Sequence, residues 1–240
     1  MTDIAIETLH LNKKYGSIHA VCDFDLKARK GEIIALLGPN GAGKSTLMNM
    51  ITGFLSPTSG QIFVEGEDIS LNPEKAKEKI GFLPEGAPIY PDMSVKMFLK
   101  YMADLRGATK ENLQQAIEMS NVENVLTQKV ETLSKGYLRR VGFAQSVLSN
   151  PPILLLDEPT DGLDPNQKEH LRSLILSMSS QKTILISTHL LDEAEAICSR
   201  IIVMNHGKIM ADGSCAQIFK QTKTKSLAAA FQKLTVCEGK

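Results

Sequence analysis

The eight residues Gly38-Pro39-Asn40-Gly41-Ala42-Gly43-Lys44-Ser45 constrain this chain more than any other stretch. They fit G-x-x-x-x-G-K-[ST], a loop whose glycines let the backbone curl until several N–H groups point at one polyphosphate. Such a loop needs a buried strand before it and a helix after it, and the flanks supply both. Glu32-Ile33-Ile34-Ala35-Leu36-Leu37 is a short apolar run with the texture of a buried strand. Thr46-Leu47-Met48-Asn49-Met50-Ile51 reads as a helix, whose start adds partial positive charge. Lys44 is expected to reach the β- and γ-phosphates, and the Ser45 hydroxyl to ligate Mg²⁺. ATP or GTP is the expected ligand, and an α/β fold the expected frame.

The rest of the chain narrows the class. At 240 residues and 42% hydrophobic, it has ample core for one large domain or one domain plus a lobe. Basic and acidic residues balance at 27 each, so no broad basic surface is available and nucleic acid is not an expected partner. Cys22, Cys198, Cys215 and Cys237 are far apart and form no C-x-x-C pair, which suits a reducing compartment. Met1-Thr2-Asp3 leads straight into strand-like sequence, so no signal peptide is expected. No apolar run approaches the roughly 18 residues that span a bilayer. A role at a membrane would need another protein to supply the spanning part.

The pattern along the chain changes twice. Cys22-Asp23-Phe24-Asp25-Leu26-Lys27 alternates apolar and charged, as a half-buried strand does, and the first thirty residues read as antiparallel strands. Gln61 to Ile69 holds two short strands around Glu65-Gly66. From Glu85 to Asn150 the texture becomes helical, after a loop marked by Pro84, Gly86, Pro88 and Pro91; Val95-Phe98-Leu99-Met102 falls at i, i+3, i+4, i+7. An inserted helical lobe is expected there. After Pro151-Pro152 the strand–helix rhythm resumes with Ile153 to Leu156. Asp164 then caps a helix with Pro165 at its first position and an apolar face of Leu171, Leu174, Ile175 and Met178. Thr183 to Ser187 is the next strand, Leu191 to Cys198 another helix, and Ile201 to Met210 a hairpin around Asn205-His206-Gly207. The tail from Gln221 is Lys- and Ala-rich and reads as ending in a small helix. The expected division is a catalytic α/β core with β subdomain over 1–84 and 151–220, a helical subdomain over 85–150, and a tail over 221–240. Its sheet is expected to be mainly parallel, with ligands at the carboxyl ends of the strands.

Two more segments carry chemistry. Asp157-Glu158 ends the strand from Ile153, which puts both carboxylates on the rim that holds the phosphate loop. One can hold Mg²⁺ and the next can act as general base on an attacking water. Ser134 in Leu133-Ser134-Lys135-Gly136-Tyr137 is placed as an N-cap. The helix beyond has an apolar face of Tyr137, Val141, Ala144 and Leu148, with Arg139 and Gln145 expected away from it. Its start is a second anion-binding terminus.

Taken together, segments 38–46, 133–137, 153–159, Gly162-Leu163-Asp164 and Ser187-Thr188-His189 resemble the ATP-binding subunit of an ABC transporter over essentially all of residues 4 to 215. The Leu-Ser-Lys-Gly-Tyr form and Gly81-Phe82-Leu83-Pro84-Glu85 look most like the branch serving exporters. The resemblance implies a phosphate-loop NTPase core, ATP with Mg²⁺ as cofactors, and a peripheral place on the cytoplasmic face of the membrane. By position it implies that Tyr15 stacks on adenine and that Gly38, Pro39, Asn40, Gly41, Ala42, Gly43, Lys44, Ser45 and Thr46 hold the phosphates. Glu85 falls where the family has a glutamine that senses Mg²⁺ and contacts the membrane partner. Ser134, Lys135 and Gly136 match the signature that binds the γ-phosphate on a second copy, although the usual form has glycine at 135 and glutamine at 137. Asp164 matches the loop that crosses the dimer interface, and His189 the histidine that bridges γ-phosphate and attacking water.

Two anion-binding helix starts nearly a hundred residues apart agree with a head-to-tail pair, homodimer or heterodimer, that puts both on each ATP. A membrane permease is the expected further partner. A soluble ATPase of the same type acting on nucleic acid or ribosomes is the chief alternative. It usually carries a coiled-coil or zinc insertion or two cassettes in one chain, and none is present here. A regulatory module that does not hydrolyse ATP is disfavoured by Asp157-Glu158 and His189, and a metabolic kinase by the 133–137 signature.

Overall fold

The computed structural model of the chain describes residues 3–86 and 90–236; Met1, Thr2, Pro88 and Cys237 lie outside them. The strands β1 (Ile4–Tyr15) and β2 (Ile18–Arg29) form an antiparallel hairpin across Gly16-Ser17. In β2, Val21, Phe24, Leu26 and Ala28 are buried while Asp23, Asp25 and Lys27 face out. The short phosphate-loop strand β3 (Ile33–Leu37) and helix α1 (Lys44–Ile51) follow. β4 (Ser59–Val64) and β5 (Glu67–Asp68) then return to the first sheet, in the order β2-β1-β4-β5.

Helix α2 (Pro73–Glu78) and strand β6 (Ile80–Leu83) lead to the helical segment: α3 (Val95–Leu105), α4 (Lys110–Met119) and α5 (Lys135–Val147). The chain then alternates β7 (Ile153–Asp157), α6 (Pro165–Met178), β8 (Thr183–Thr188) and α7 (Leu191–Ile197). It closes with the hairpin β9 (Arg200–Asn205) and β10 (Lys208–Gly213), then α8 (Cys215–Thr222) and α9 (Leu227–Thr235). The second sheet runs β10-β9-β3-β8-β7-β6, parallel throughout except for β10. Every residue of β3, β6, β7 and β8 is buried, as parallel strands covered on both faces require.

Helix α1 lies between the two sheets. Its Leu47, Met48, Met50 and Ile51 pack with Phe24, Leu26 and Ile62 on one side and Ile34, Leu36 and Leu155 on the other. Burial at roughly 1.5–3 kcal/mol for each such side chain anchors the phosphate loop to both layers. The opposite face of the parallel sheet is covered by α5 and α6 through Phe143, Leu148, Leu171 and Ile175. Val95, Phe98, Leu99 and Ile117 form a separate apolar cluster with Val141 and Ala144 of α5. Helix α5 thus belongs to both the helical segment and the core.

The fold class is the expected one: an α/β core with a mainly parallel sheet, an antiparallel N-terminal sheet and a helical layer. Arg139 and Gln145, placed off the apolar face of α5, are nonetheless buried, because α5 is enclosed on nearly every side. Strand β6 and helix α2 had not been anticipated. Nor had α8, and the tail is packed, with Leu227 and Ala230 buried against Ile201 and Val203.

Candidate functional site

The carboxyl ends of β3 and β7 open into one cleft of about 490 Å³. Its floor is the loop from Asn40 to Thr46, and its wall carries Glu85, Asp157, Glu158 and Ser187. Gly43 closes the loop in a left-handed conformation, φ 104°, and a Cβ there would stand 2.1 Å from the carbonyl oxygen of Ala20. Only glycine fits that approach. Among the described residues no side chain caps α1, so its first N–H groups remain for a ligand. Lys44 is buried, and its ammonium donates to the carbonyl oxygens of Gly38 at 2.6 Å and Pro39 at 3.3 Å. Burial pushes its pKa down, while Glu158, Asp157 and Glu85 oppose that shift. The ammonium is thus held among acids and carbonyls on the loop it serves.

β7 delivers the two acids. Asp157 pairs with Ser187 across the sheet and is buried, and its Oδ1 has no hydrogen-bond partner. The neighbouring Ser187 Oγ is also buried and unpartnered. Orphaned oxygens beside the Ser45 hydroxyl and the Glu85 carboxylate in one cleft make an all-oxygen donor set, which fits a hard cation such as Mg²⁺. Glu158 sits at the strand end with φ 50°, its N–H donating to Ser187 at 2.8 Å. That turn points its carboxylate at His189, whose Nδ1 lies 2.9 Å from Glu158 Oε2. The contact brings the imidazole beside the carboxylate at the strand end.

The other candidates are placed differently. Tyr15, half exposed at the end of β1, lies under Lys13 Nζ at 5.2 Å and lines a neighbouring groove with Phe54, Phe82 and Pro84. Ile18, His19 and Ala20 of β2 line the cleft instead, as does His206. Ser134 caps α5, accepting from Tyr137 N–H at 3.4 Å, and Lys135 Nζ pairs with Asp161 at 2.8 Å. Segment 134–136 does not line the phosphate cleft of its own chain. Asp164 caps α6, accepting from Gln167 N–H at 2.9 Å. Sequence reasoning passed over Ile18 and His206. No local signal marks them: Ile18 starts β2 of the antiparallel sheet, which Cys22 N–H joins to Gly207 at 2.9 Å, and the order β10-β9-β3 brings the hairpin tip bearing His206 to the loop, where Gly207 N–H donates to Ala42 at 3.0 Å. It also passed over Arg139, whose guanidinium donates to the carbonyls of Pro84 at 2.6 Å and Glu85 at 3.1 Å and so ties α5 to the loop bearing Glu85.

A phosphate loop between β3 and α1, with an acid pair ending parallel strand β7 one strand away across β8, defines a nucleotide-hydrolysing cassette. A family model described as ABC transporter matches residues 21–161. An uncharacterized ABC transporter ATP-binding protein, YdbJ of Bacillus subtilis, is 36% identical over 90% of this chain and 71% of its own length. A Nod factor export ATP-binding protein I from Burkholderia orbicola is 35% identical over 89% of this chain and 72% of its own. Among solved structures, an ATP-binding subunit of an ABC transporter superposes with TM-score 0.89 at 27% identity, covering 96% of this chain and 99% of that one. The cassette MJ0796, solved as a post-hydrolysis dimer bound to ADP and Pi, gives TM-score 0.81 at 25% identity over 87% and 98%. The chain belongs to the ABC transporter family as an ATP-binding subunit, and it is an ATPase.

Proposed function

We propose that this chain powers export through a separate membrane permease, closing head-to-tail on a second cassette when ATP binds and opening after hydrolysis. The observation that carries the reading is the Glu158–His189 contact of 2.9 Å at the edge of the cleft that holds Lys44 and Asp157. In this reading Lys44 and the backbone from Gly38 to Thr46 bind the phosphates. Ser45, Asp157 and Glu85 hold Mg²⁺, which when bound neutralises charge on the phosphate oxygens. Glu158 accepts the proton of the attacking water, and His189, beside the Glu158 carboxylate, serves water and γ-phosphate. Tyr15 and Ile18 offer apolar contact to the base. Ser134, Lys135 and Gly136 of one copy serve the γ-phosphate held by the other, with Asp164 near the seam; that they stand outside their own chain's cleft supports this division.

No helix among the described residues is long and apolar enough to cross a membrane. A peripheral place on the cytoplasmic face therefore requires docking. The exposed Phe54 and the groove of about 500 Å³ from Phe82 and Pro84 to Met102 and Arg106 offer the permease an apolar seat. Exposed Met97, Tyr101 and Leu105, spaced four residues apart on α3, add a stripe. This groove adjoins Glu85 through Pro84 and Gly86, so docking and the nucleotide cleft share one segment. Export, rather than uptake, is supported by the similarity to the Nod factor export ATP-binding proteins. The test is Glu158→Gln. It should bind ATP, lose at least about 100-fold in turnover and sediment as a dimer with ATP; a persistent monomer, or unchanged turnover, refutes the reading.

A further inference from the structure

The structure assigns to Glu193 a positioning role in ATP hydrolysis: its carboxylate joins the chain that follows Glu158 to the chain that precedes His189. Glu193 lies on α7, four residues beyond His189, and is 2% exposed. Both of its oxygens are used. Oε1 accepts from the hydroxyl of Thr160, two residues after Glu158, and Oε2 accepts from the hydroxyl of Thr188, next to His189, at 3.1 Å. Thr160 and Thr188 are themselves 3% and 1% exposed. The Thr188 hydroxyl also accepts from Leu190 N–H at 3.1 Å, which sets the turn carrying His189. On the other arm, Asp161 N–H donates to Glu158 at 3.1 Å and Leu163 N–H to Thr160 at 3.1 Å. Displacing Thr160 therefore displaces the turn that starts at Glu158.

The energetics favour a specific use over simple packing. A buried carboxylate is costly to desolvate, and an apolar side chain of similar volume would fill the space with less penalty. Arg172 gives partial compensation only: its guanidinium is 3.9 Å from Glu193 and makes its close contact, 2.8 Å, with Asp192. What the carboxylate obtains is two hydroxyl donors, one on each side of the Glu158–His189 pair. The main-chain link Glu158 N–H to Ser187 holds the bases of the two arms together. Glu193 holds their far sides. Glu193 does not line the phosphate cleft; it acts through the register of the general base and the histidine, where a displacement near 1 Å costs about 100-fold in rate.

This inference rests on the roles proposed above for Glu158 and His189. Shape-conserving variants test it without emptying the core. Thr188→Val and Thr160→Val remove one donor each, Thr188→Ser and Thr160→Ser keep it, and Glu193→Gln keeps the volume with one acceptor. ATPase kinetics, fluorescent-nucleotide binding and thermal melts are measured on the full chain. The valine variants should lose about 10- to 100-fold in kcat with KM for ATP within about twofold of the parent, while the serine variants restore turnover. Glu193→Gln should fall between them. Valine variants that turn over like the parent, or that lose nucleotide affinity together with kcat, overturn the proposal. If instead Glu158→Gln and His189→Ala both hydrolyse ATP normally, the parent reading fails and takes this one with it, an outcome distinguishable because those variants leave Glu193 and its partners in place.

Discussion

Replacing Gly81 by alanine should cost more than a single methyl group elsewhere in the sheet. Gly81 lies in β6, paired with Leu154 of β7, beneath the last turns of α5. A Cβ at this position would stand 2.0 Å from the carbonyl oxygen of Ser146, 2.7 Å from Leu154 Cδ2 and 2.8 Å from Pro151 Cγ. The leucine tip can rotate away. The Ser146 carbonyl is helix backbone and moves only if α5 moves, and ordinary contact at 3.4 Å requires it to withdraw by 1.4 Å. A gap of about 0.5–1 Å already forfeits a quarter to a half of a dispersion contact. The side chains that would lose it are Phe143, Val147 and Leu148, which α5 plants against Leu154 and Leu156.

Overpacking costs about 1–3 kcal/mol where neighbours can adjust, and a clash with backbone of this depth belongs above that range, at about 4 kcal/mol. In a chain of this size each kcal/mol lowers the Tm by about 2–4 °C, so the expected fall is about 8–16 °C. Gly86 is the control. It lies five residues on in an exposed position with nothing within 4 Å of its Cβ direction, and Gly86→Ala should stay within about 0.5 kcal/mol of the parent. Thermal melts followed by circular dichroism read both. A Gly81→Ala protein melting within about 2 °C of the parent, or a Gly86→Ala protein falling as far as Gly81→Ala, would refute the packing argument.

Two further outcomes concern buried titratable groups. Lys182 is buried, donates to Asn150 Oδ1 and Pro151 O at 2.6 Å each, and has no carboxylate partner among the described residues; burial holds its pKa below the ordinary lysine value of 10.5. Between the lowered folded value and 10.5 the unfolded chain binds more protons, so stability rises with pH in that window. Urea unfolding should show the parent gaining on Lys182→Met as pH climbs toward 10.5; a constant or shrinking difference rules this out. Burial pushes the Cys198 thiol up to about 12. Its thiolate fraction at pH 8 is then about 10⁻⁴, so peptide mapping after iodoacetamide should find Cys198 modified only in unfolded protein. Native labelling as fast as at Cys22 would contradict that.

What could be read from the sequence was the chemistry that is contiguous along the chain. The phosphate loop must present consecutive N–H groups, so Gly38 to Ser45 spells itself out. Asp157-Glu158 is legible because four apolar residues precede it and a strand end follows. Asp164 is legible as a cap because capping acts over three residues. Relations between distant segments were not legible. β6 has only four residues, one of them glycine, and is a strand because β7 lies beside it. Arg139 reads only as a residue off the apolar face until the carbonyls of Pro84 and Glu85 arrive from another segment. His206 reaches the cleft through strand order and Ile18 from the other sheet, and Glu193 joins the site only where both threonines close over it.

The charges of the cleft bear on the proposed dimer. Lys44 faces Glu85, Asp157 and Glu158, and a nucleoside triphosphate brings more negative charge than one Mg²⁺ removes. In the proposed dimer one chain would therefore be short of cation at the γ-phosphate. The missing charge would be available at Lys135, where the resemblance to the family leads one to expect glycine. In the single chain Lys135 is paired with Asp161 at 2.8 Å, with the lysine 69% and the aspartate 43% exposed. An exposed pair of this kind contributes about 0–1 kcal/mol, so exchanging the aspartate for a partner's phosphate costs little. The bond that the lysine would give up is weak, and in the proposed dimer the one it would gain would lie in a seam with less water, where Coulomb attraction is larger. Lys135 would then reinforce closure only when nucleotide is present, and the departure from glycine would tighten the coupling between ATP binding and dimer formation.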